Sequence, residues 1–263
     1  MPKKAMVVDS DFFFVEFLSG LLEKRGYAVR KAYDGKQGIA GLDEGPVDIL
    51  FADLVMPKVT GRCFFEFVRR KFNNPCFPLV AVSGTVIEQM DDLDAIGADY
   101  FIAKGPFEKL EVHLNAFITA LEKRSGQPPA EKKIIQTGGV FPRRDAMELL
   151  KVLKFSQAII ESLGVGVLVI DTDTRIINAN DAALSVMQTS VVDILNRPIL
   201  DVFPINRSAE LIAALKSTAR DPNGHPSAFF VGFHSRMLRA VVSALRLQNT
   251  ISGWVVVLEG AHG

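Results

Sequence analysis

Cysteine is scarce. The 263 residues hold two, Cys63 and Cys76, and they form no CxxC pair. That excludes a disulfide-dense secreted scaffold and points to a reducing compartment. Net charge is absent as well. Thirty Lys and Arg balance thirty Asp and Glu, so neither a basic nucleic-acid binder nor a charged disordered chain is indicated. No apolar run approaches the roughly 18 residues of a membrane span. Lys3 and Lys4 precede an apolar run, but Asp9 and Asp11 cut it short, which argues against a signal peptide. The expectation is a cytoplasmic protein without membrane contact.

What is present is apolar material for two cores: 48% of the residues are hydrophobic, and the length suits two domains. Residues 123–145 separate them. This stretch carries six Lys or Arg against two Asp or Glu and is rich in Gly and Pro, as a linker should be. The expected domains are 1–122, a linker over 123–145, and 146–263.

The first domain alternates short apolar runs with helical patterns. Runs at 5–8, 27–32, 47–52, 79–82 and 100–103 read as strands. Periodic stretches at 12–25, 35–45, 61–72, 88–96 and 107–122 read as helices. Five strand–helix repeats predict a doubly wound, five-stranded parallel sheet covered on both faces. The second domain opens with a helix at 146–163. Strands at 166–171 and 175–178 follow, then short helices over 180–196 and a longer one at 207–220. Strands at 227–233, 238–247 and 253–258 close it. Two strands, helices and three strands predict an α+β domain with a five-stranded antiparallel sheet.

In a doubly wound sheet, ligands bind beyond the carboxyl ends of the strands. Three of the five strands end in Asp9, Asp53 and Lys104, and a fourth ends in Ser83. Two acids, a hydroxyl and an ammonium at one edge suit phosphoryl transfer to a carboxylate. Asp53 would be the nucleophile. A divalent cation on Asp9 and Asp53 would offset their repulsion, and Mg2+ suits such a site because it bridges phosphate and few carboxylates. Lys104 and Ser83 would meet phosphoryl oxygens. Taken singly, each residue has a plainer role as a turn, cap or solvated side chain. Their joint placement at successive strand ends carries the inference.

The strings VVDSD at 7–11, DLVMPKVTG at 53–61, AVSGT at 81–85 and GADYFIAK at 97–104 resemble the receiver domain of two-component response regulators. That family has a flavodoxin-like sheet. The resemblance implies that Asp53 accepts phosphate from a histidine kinase, with Asp9 in the acidic pocket and the Val55 carbonyl on the metal. It implies that Ser83 and Lys104 sense the phosphate and that Phe101 is the switching aromatic. It also implies no enzyme activity beyond the domain's own phosphotransfer and dephosphorylation. Two positions depart from the family pattern. Ser10 stands where a second acid is usual, leaving Ser10 or Asp11 as candidate further ligands. Gly105 is inserted before Pro106, at the turn after Lys104.

DTDTRIINANDAAL at 171–184 resembles the early segment of PAS domains, with Asn180 in the place of their recurrent Asn. By that analogy a pocket would lie between the sheet and helix 207–220. Flavin and haem are not expected there: both cysteines lie in the other domain, the pocket-facing helix has no His, His225 falls in a turn and His234 near a strand end. The ligand, if any, is left unnamed. The stripe Ala146, Leu149, Leu153, Ser156, Ile160 and Leu163 divides evenly between self-packing and a homodimer seam. With no helix-turn-helix, kinase or cyclic-dinucleotide motif in view, the expected output is contact with a downstream protein, not DNA. Two alternatives stay open: a degenerate receiver serving as a constitutive scaffold, and a PAS-based small-ligand sensor.

Overall fold

The computed structural model describes residues 2–73, 77–84, 97–123, 133–135, 155, 158–234, 236–248 and 250–260. The predicted helix at 88–96, Cys76 and most of the 146–163 stripe lie outside these residues; 158–162 are helical. The chain divides into two units, Met1–Lys151 and Val152–Gly263.

The first unit alternates β1 (Lys4–Val8), α1 (Phe12–Lys24), β2 (Ala28–Ala32), α2 (Gly35–Asp43), β3 (Ile49–Asp53), α3 (Gly61–Lys71), β4 (Leu79–Ser83), β5 (Tyr100–Ala103) and α4 (Phe107–Lys123). All pairings are parallel, in the order β2-β1-β3-β4-β5. The central strands are buried along their length, as expected where helices cover both faces. Val7, Phe51, Val80 and Ile102 meet Phe14, Leu18, Leu22, Leu114 and Ile118 from α1 and α4. On the other face, Gly38 of α2 lies so close to Val8 and Phe64 that a Cβ would stand 2.9 and 2.8 Å from them. Only glycine lets α2 and α3 settle onto β1 there.

A sixth strand adds to the five expected. Residues 133–135, read as part of the linker, form β6 (Lys133–Ile135), which pairs parallel with β5 and makes the sheet six-stranded. The apolar pair Ile134–Ile135 meets an open sheet edge, and pairing satisfies backbone groups that an edge leaves bare. Composition signalled a linker because the flanking Gly, Pro and charge outweigh three residues.

The second unit holds β7 (Gly166–Ile170), β8 (Ile176–Ala179), β9 (Ser227–Phe233), β10 (Arg236–Leu247) and β11 (Thr250–Gly260) in one antiparallel sheet, ordered β8-β7-β11-β10-β9. Between β8 and β9 lie α5 (Asp181–Met187), α6 (Val191–Ile194), α7 (Ile199–Val202) and α8 (Ser208–Arg220). Alternation sends Val231, Leu238, Ala240, Val242, Val256 and Leu258 inward, where they meet Leu211, Ala214 and Leu215 of α8. Trp254 Nε1 donates to Leu215 O at 3.1 Å, tying the sheet to that helix.

Candidate phosphoacceptor site

The sheet order reverses between β1 and β3, which opens a crevice at their carboxyl ends. Register then decides who faces whom. Val8 pairs with Ala52, so Asp9 and Asp53 emerge level. Asp53 pairs with Val82, so Ser83 follows one step on, and Ser83 pairs with Ala103, which puts Lys104 next in turn. All four predicted residues thus meet at one edge. Asp9 is 1% exposed, Asp53 7% and Ser83 1%.

Lys104 joins the two acids. Its Nζ lies 3.0 Å from Asp53 Oδ2 and 2.6 Å from Asp9 Oδ2. Its backbone N–H donates to Ser83 O at 2.9 Å. The Phe14 ring lies beneath the ammonium, 4.7 Å from Nζ to centroid, a cation–π contact. Phe14 reads from the sequence only as core of α1; nothing local could reveal that it faces a lysine 90 residues on. Val55 N donates to Asp53 Oδ1 at 3.2 Å.

One ammonium cannot neutralise two buried carboxylates. Burial, and then the Asp53 charge, push Asp9 up to about 6 despite the Lys104 ammonium, which favours its ionised form. Burial works against the Lys104 ammonium, but the two carboxylates outweigh it and raise its pKa. The Lys104–Asp9 contact is close but poorly directed, so Asp9 Oδ2 has charge compensation without an aligned donor. An under-compensated pair of buried carboxylates fits a divalent cation.

Asp11 does different work. Its Oδ1 caps α1, accepting from Phe13 N at 3.0 Å and Phe14 N at 3.2 Å, and its N–H donates to Asp9 Oδ1 at 2.9 Å. Among the described residues, no three acidic, His or Cys side chains group closely enough to hold a metal. The two carboxylates that Lys104 joins, Asp9 and Asp53, are the acids this edge offers a cation among the described residues.

Phe101 is fully buried in β5. Tyr100 and Ile102 belong to the α1/α4 core, so alternation points Phe101 to the opposite face.

In the second unit the space between α8 and the sheet is filled: Leu211, Ala214, Val231, Ala240 and Val256 are each at most 2% exposed. An open cleft of about 480 Å3 lies elsewhere, lined by Met187, Asp193, Arg197, Val202, Phe233 and His234 among others. His234 Nε2 lies 3.1 Å from Met187 O, and His225 is exposed beside Asp221. Asn180 is the polar hub. Its Oδ1 accepts from Val167 N and Ala183 N, and its Nδ2 donates to Ile160 O and Val165 O, all within 2.8–2.9 Å.

Residues 5–115 match the response regulator receiver domain family and residues 154–258 the PAS fold family. The chain is 30% identical over 148 residues to the uncharacterized transcriptional regulatory protein YcbL of Bacillus subtilis (strain 168), covering 56% of this chain and 64% of that protein. It is 34% identical over 122 residues to the transcriptional regulatory protein CpxR of Escherichia coli (strain K12), covering 46% and 50%. The chain thus spans about half to two thirds of the length of these relatives. Among solved structures, the chemotaxis response regulator CheY4 of Vibrio cholerae is similar at 23% identity and a TM-score of 0.40, covering 45% of this chain and 99% of that one. A PAS domain of a Colwellia psychrerythraea protein is similar at 11% identity and a TM-score of 0.37, covering 41% and 96%. The chain carries a response regulator receiver domain followed by a PAS domain, and its homologues are response regulators.

Proposed function

We propose that the receiver domain accepts a phosphoryl group on Asp53 from a histidine kinase and that the chain signals through protein contacts involving its PAS domain. One observation carries this: Lys104 Nζ bridges Asp53 and Asp9 at 3.0 and 2.6 Å, at the crevice where the sheet order reverses. An Asp53 carboxylate oxygen attacks phosphorus as the phosphorus–nitrogen bond of the donor phosphohistidine breaks. The bond's electron pair leaves with the imidazole, and an acyl phosphate remains. Lys104 then faces an added phosphoryl group as well as the two acids and neutralises part of its charge. The Ser83 hydroxyl, one residue beyond the level of Asp53, supplies a donor to a phosphoryl oxygen. Bound Mg2+ would be held by Asp9, Asp53 and the Val55 carbonyl and would supply charge neutralisation. Phe13, 74% exposed beside the Asp11 cap, and Phe107, 45% exposed at the start of α4, give the rim an apolar character suited to a protein donor.

Incubating the chain with acetyl phosphate and Mg2+ should add one phosphate, read by intact mass, and Asp53→Ala should add none. Equal modification of that variant overturns the assignment. The cleft at Arg197 and His234 supports a second reading, small-ligand sensing by the PAS domain. A small molecule retained through purification and detected by native mass spectrometry would favour it. Among the described residues no helix is long and apolar enough to cross a membrane.

A further inference from the structure

The loop between β3 and α3, residues 54–60, carries the Val55 carbonyl, and its two ends are closed at the base. Gly61 N donates to Leu54 O at 3.1 Å. A Cβ on Gly61 would stand 2.4 Å from Asp53 O, so α3 begins hard against the acceptor strand. Lys58 Nζ reaches across to Asp34 Oδ2, in the turn after β2, at 2.8 Å. Val59 is fully buried under the same turn, where a Cβ on Gly35 would lie 2.6 Å from Val59 O.

Three features set this contact apart from an ordinary surface ion pair, which contributes little. Asp34 is only 7% exposed. Both of its oxygens are engaged, since Oδ1 caps α2 by accepting from Gln37 N at 2.7 Å. Lys58 sits at φ 67, a left-handed backbone that a residue with a Cβ adopts only when its surroundings over-determine it.

We propose that Asp34 and Lys58 are positioning residues for phosphoryl acceptance: they fix the tip of the 54–60 loop and thereby Val55, whose N–H holds Asp53 Oδ1 at 3.2 Å. The proposal rests on the receiver reading above. Partners that orient metal ligands from behind typically change metal affinity by about ten- to a hundredfold when removed.

The test uses the full chain with Mg2+ alone as the probe, followed by amide chemical shifts. Lys58→Met keeps the stem and removes the ammonium. Asp34→Asn keeps an acceptor for the cap and removes the charge. Each should weaken Mg2+ binding about tenfold and slow phosphate uptake from acetyl phosphate, while the metal-free urea midpoint moves little. The double variant should be no worse than either single one, and Lys58→Arg should restore binding. Unchanged Mg2+ affinity in Lys58→Met overturns the proposal, as does a loss that only tracks a falling urea midpoint. A wild-type chain that binds Mg2+ but takes up no phosphate defeats the phosphoacceptor reading alone, and the affinities still judge the loop.

Discussion

The polar centres of the two units, Asn180 in one and the Asp9–Asp53 pair in the other, are buried in different ways. In the PAS domain the buried Asn180, Asp171 and Thr218 are held by backbone groups. Asn180 uses all four hydrogen-bonding capacities, Asp171 Oδ1 accepts from Asp173 N and Arg175 N, and Thr218 donates to carbonyls of its own helix. In the receiver domain Asp9 and Asp53 share one lysine, and burial, then the Asp53 charge, pushes Asp9 up to about 6. Saturated groups hold a fold in one arrangement. Under-compensated charges leave a place for something else to bind, at a cost in stability until it does.

The largest expected effect removes the shared cation. Lys104→Met leaves two buried carboxylates facing each other and should destabilise the receiver domain by about 3–5 kcal/mol at neutral pH. Metal-free urea unfolding at pH 7 and pH 4 checks this, because the loss should shrink at pH 4, where Asp9 is protonated. Next is the saturated hub. Asn180→Ala strands two carbonyls and two N–H groups and should cost about 3 kcal/mol. Since the chain has two units, only the unfolding step reported by Trp254 fluorescence should move. If the receiver step moves equally, the contrast between the units fails.

The smallest effect has the opposite sign. Asp9 is held at about 6 in the folded chain against an ordinary 3.8. Above the unfolded value, the unfolded chain releases a proton that the folded chain still holds, so stability falls as pH rises from about 4 to about 6 and then levels off. Asp9→Asn removes that penalty. It should stabilise the metal-free protein at pH 7 by about 2 kcal/mol, with little change near pH 4. Destabilisation at pH 7 would mean that the Lys104 ion pair outweighs burial.

Much of the receiver site was legible because strand ends are legible. A short apolar run ending in Asp or Lys is a local pattern, and the topology of a parallel sheet brings such ends together. The PAS architecture was legible from element order, and the Asn180 position from its setting between strand and helix. The sixth strand was not, because three residues make no pattern and pairing with β5 is a long-range event. Asp11 stayed ambiguous because cap and ligand use the same carboxylate. The cleft lies away from helix 207–220, where analogy placed a pocket, because Leu211, Ala214 and Leu215 fill that interior.

By itself the sequence determined two domains, most of their described elements and the four strand-end residues, since periodicity and run length depend on neighbours along the chain. Only the tertiary structure decided that Asp11 caps α1, that one lysine bridges two acids above Phe14, and that Asp34 holds Lys58. The Asp11 cap is local but shares its carboxylate with the ligand role it could have taken. The two ion pairs depend on charges that meet across 24 to 95 positions of chain, and that meeting is settled by register and packing, not by local pattern.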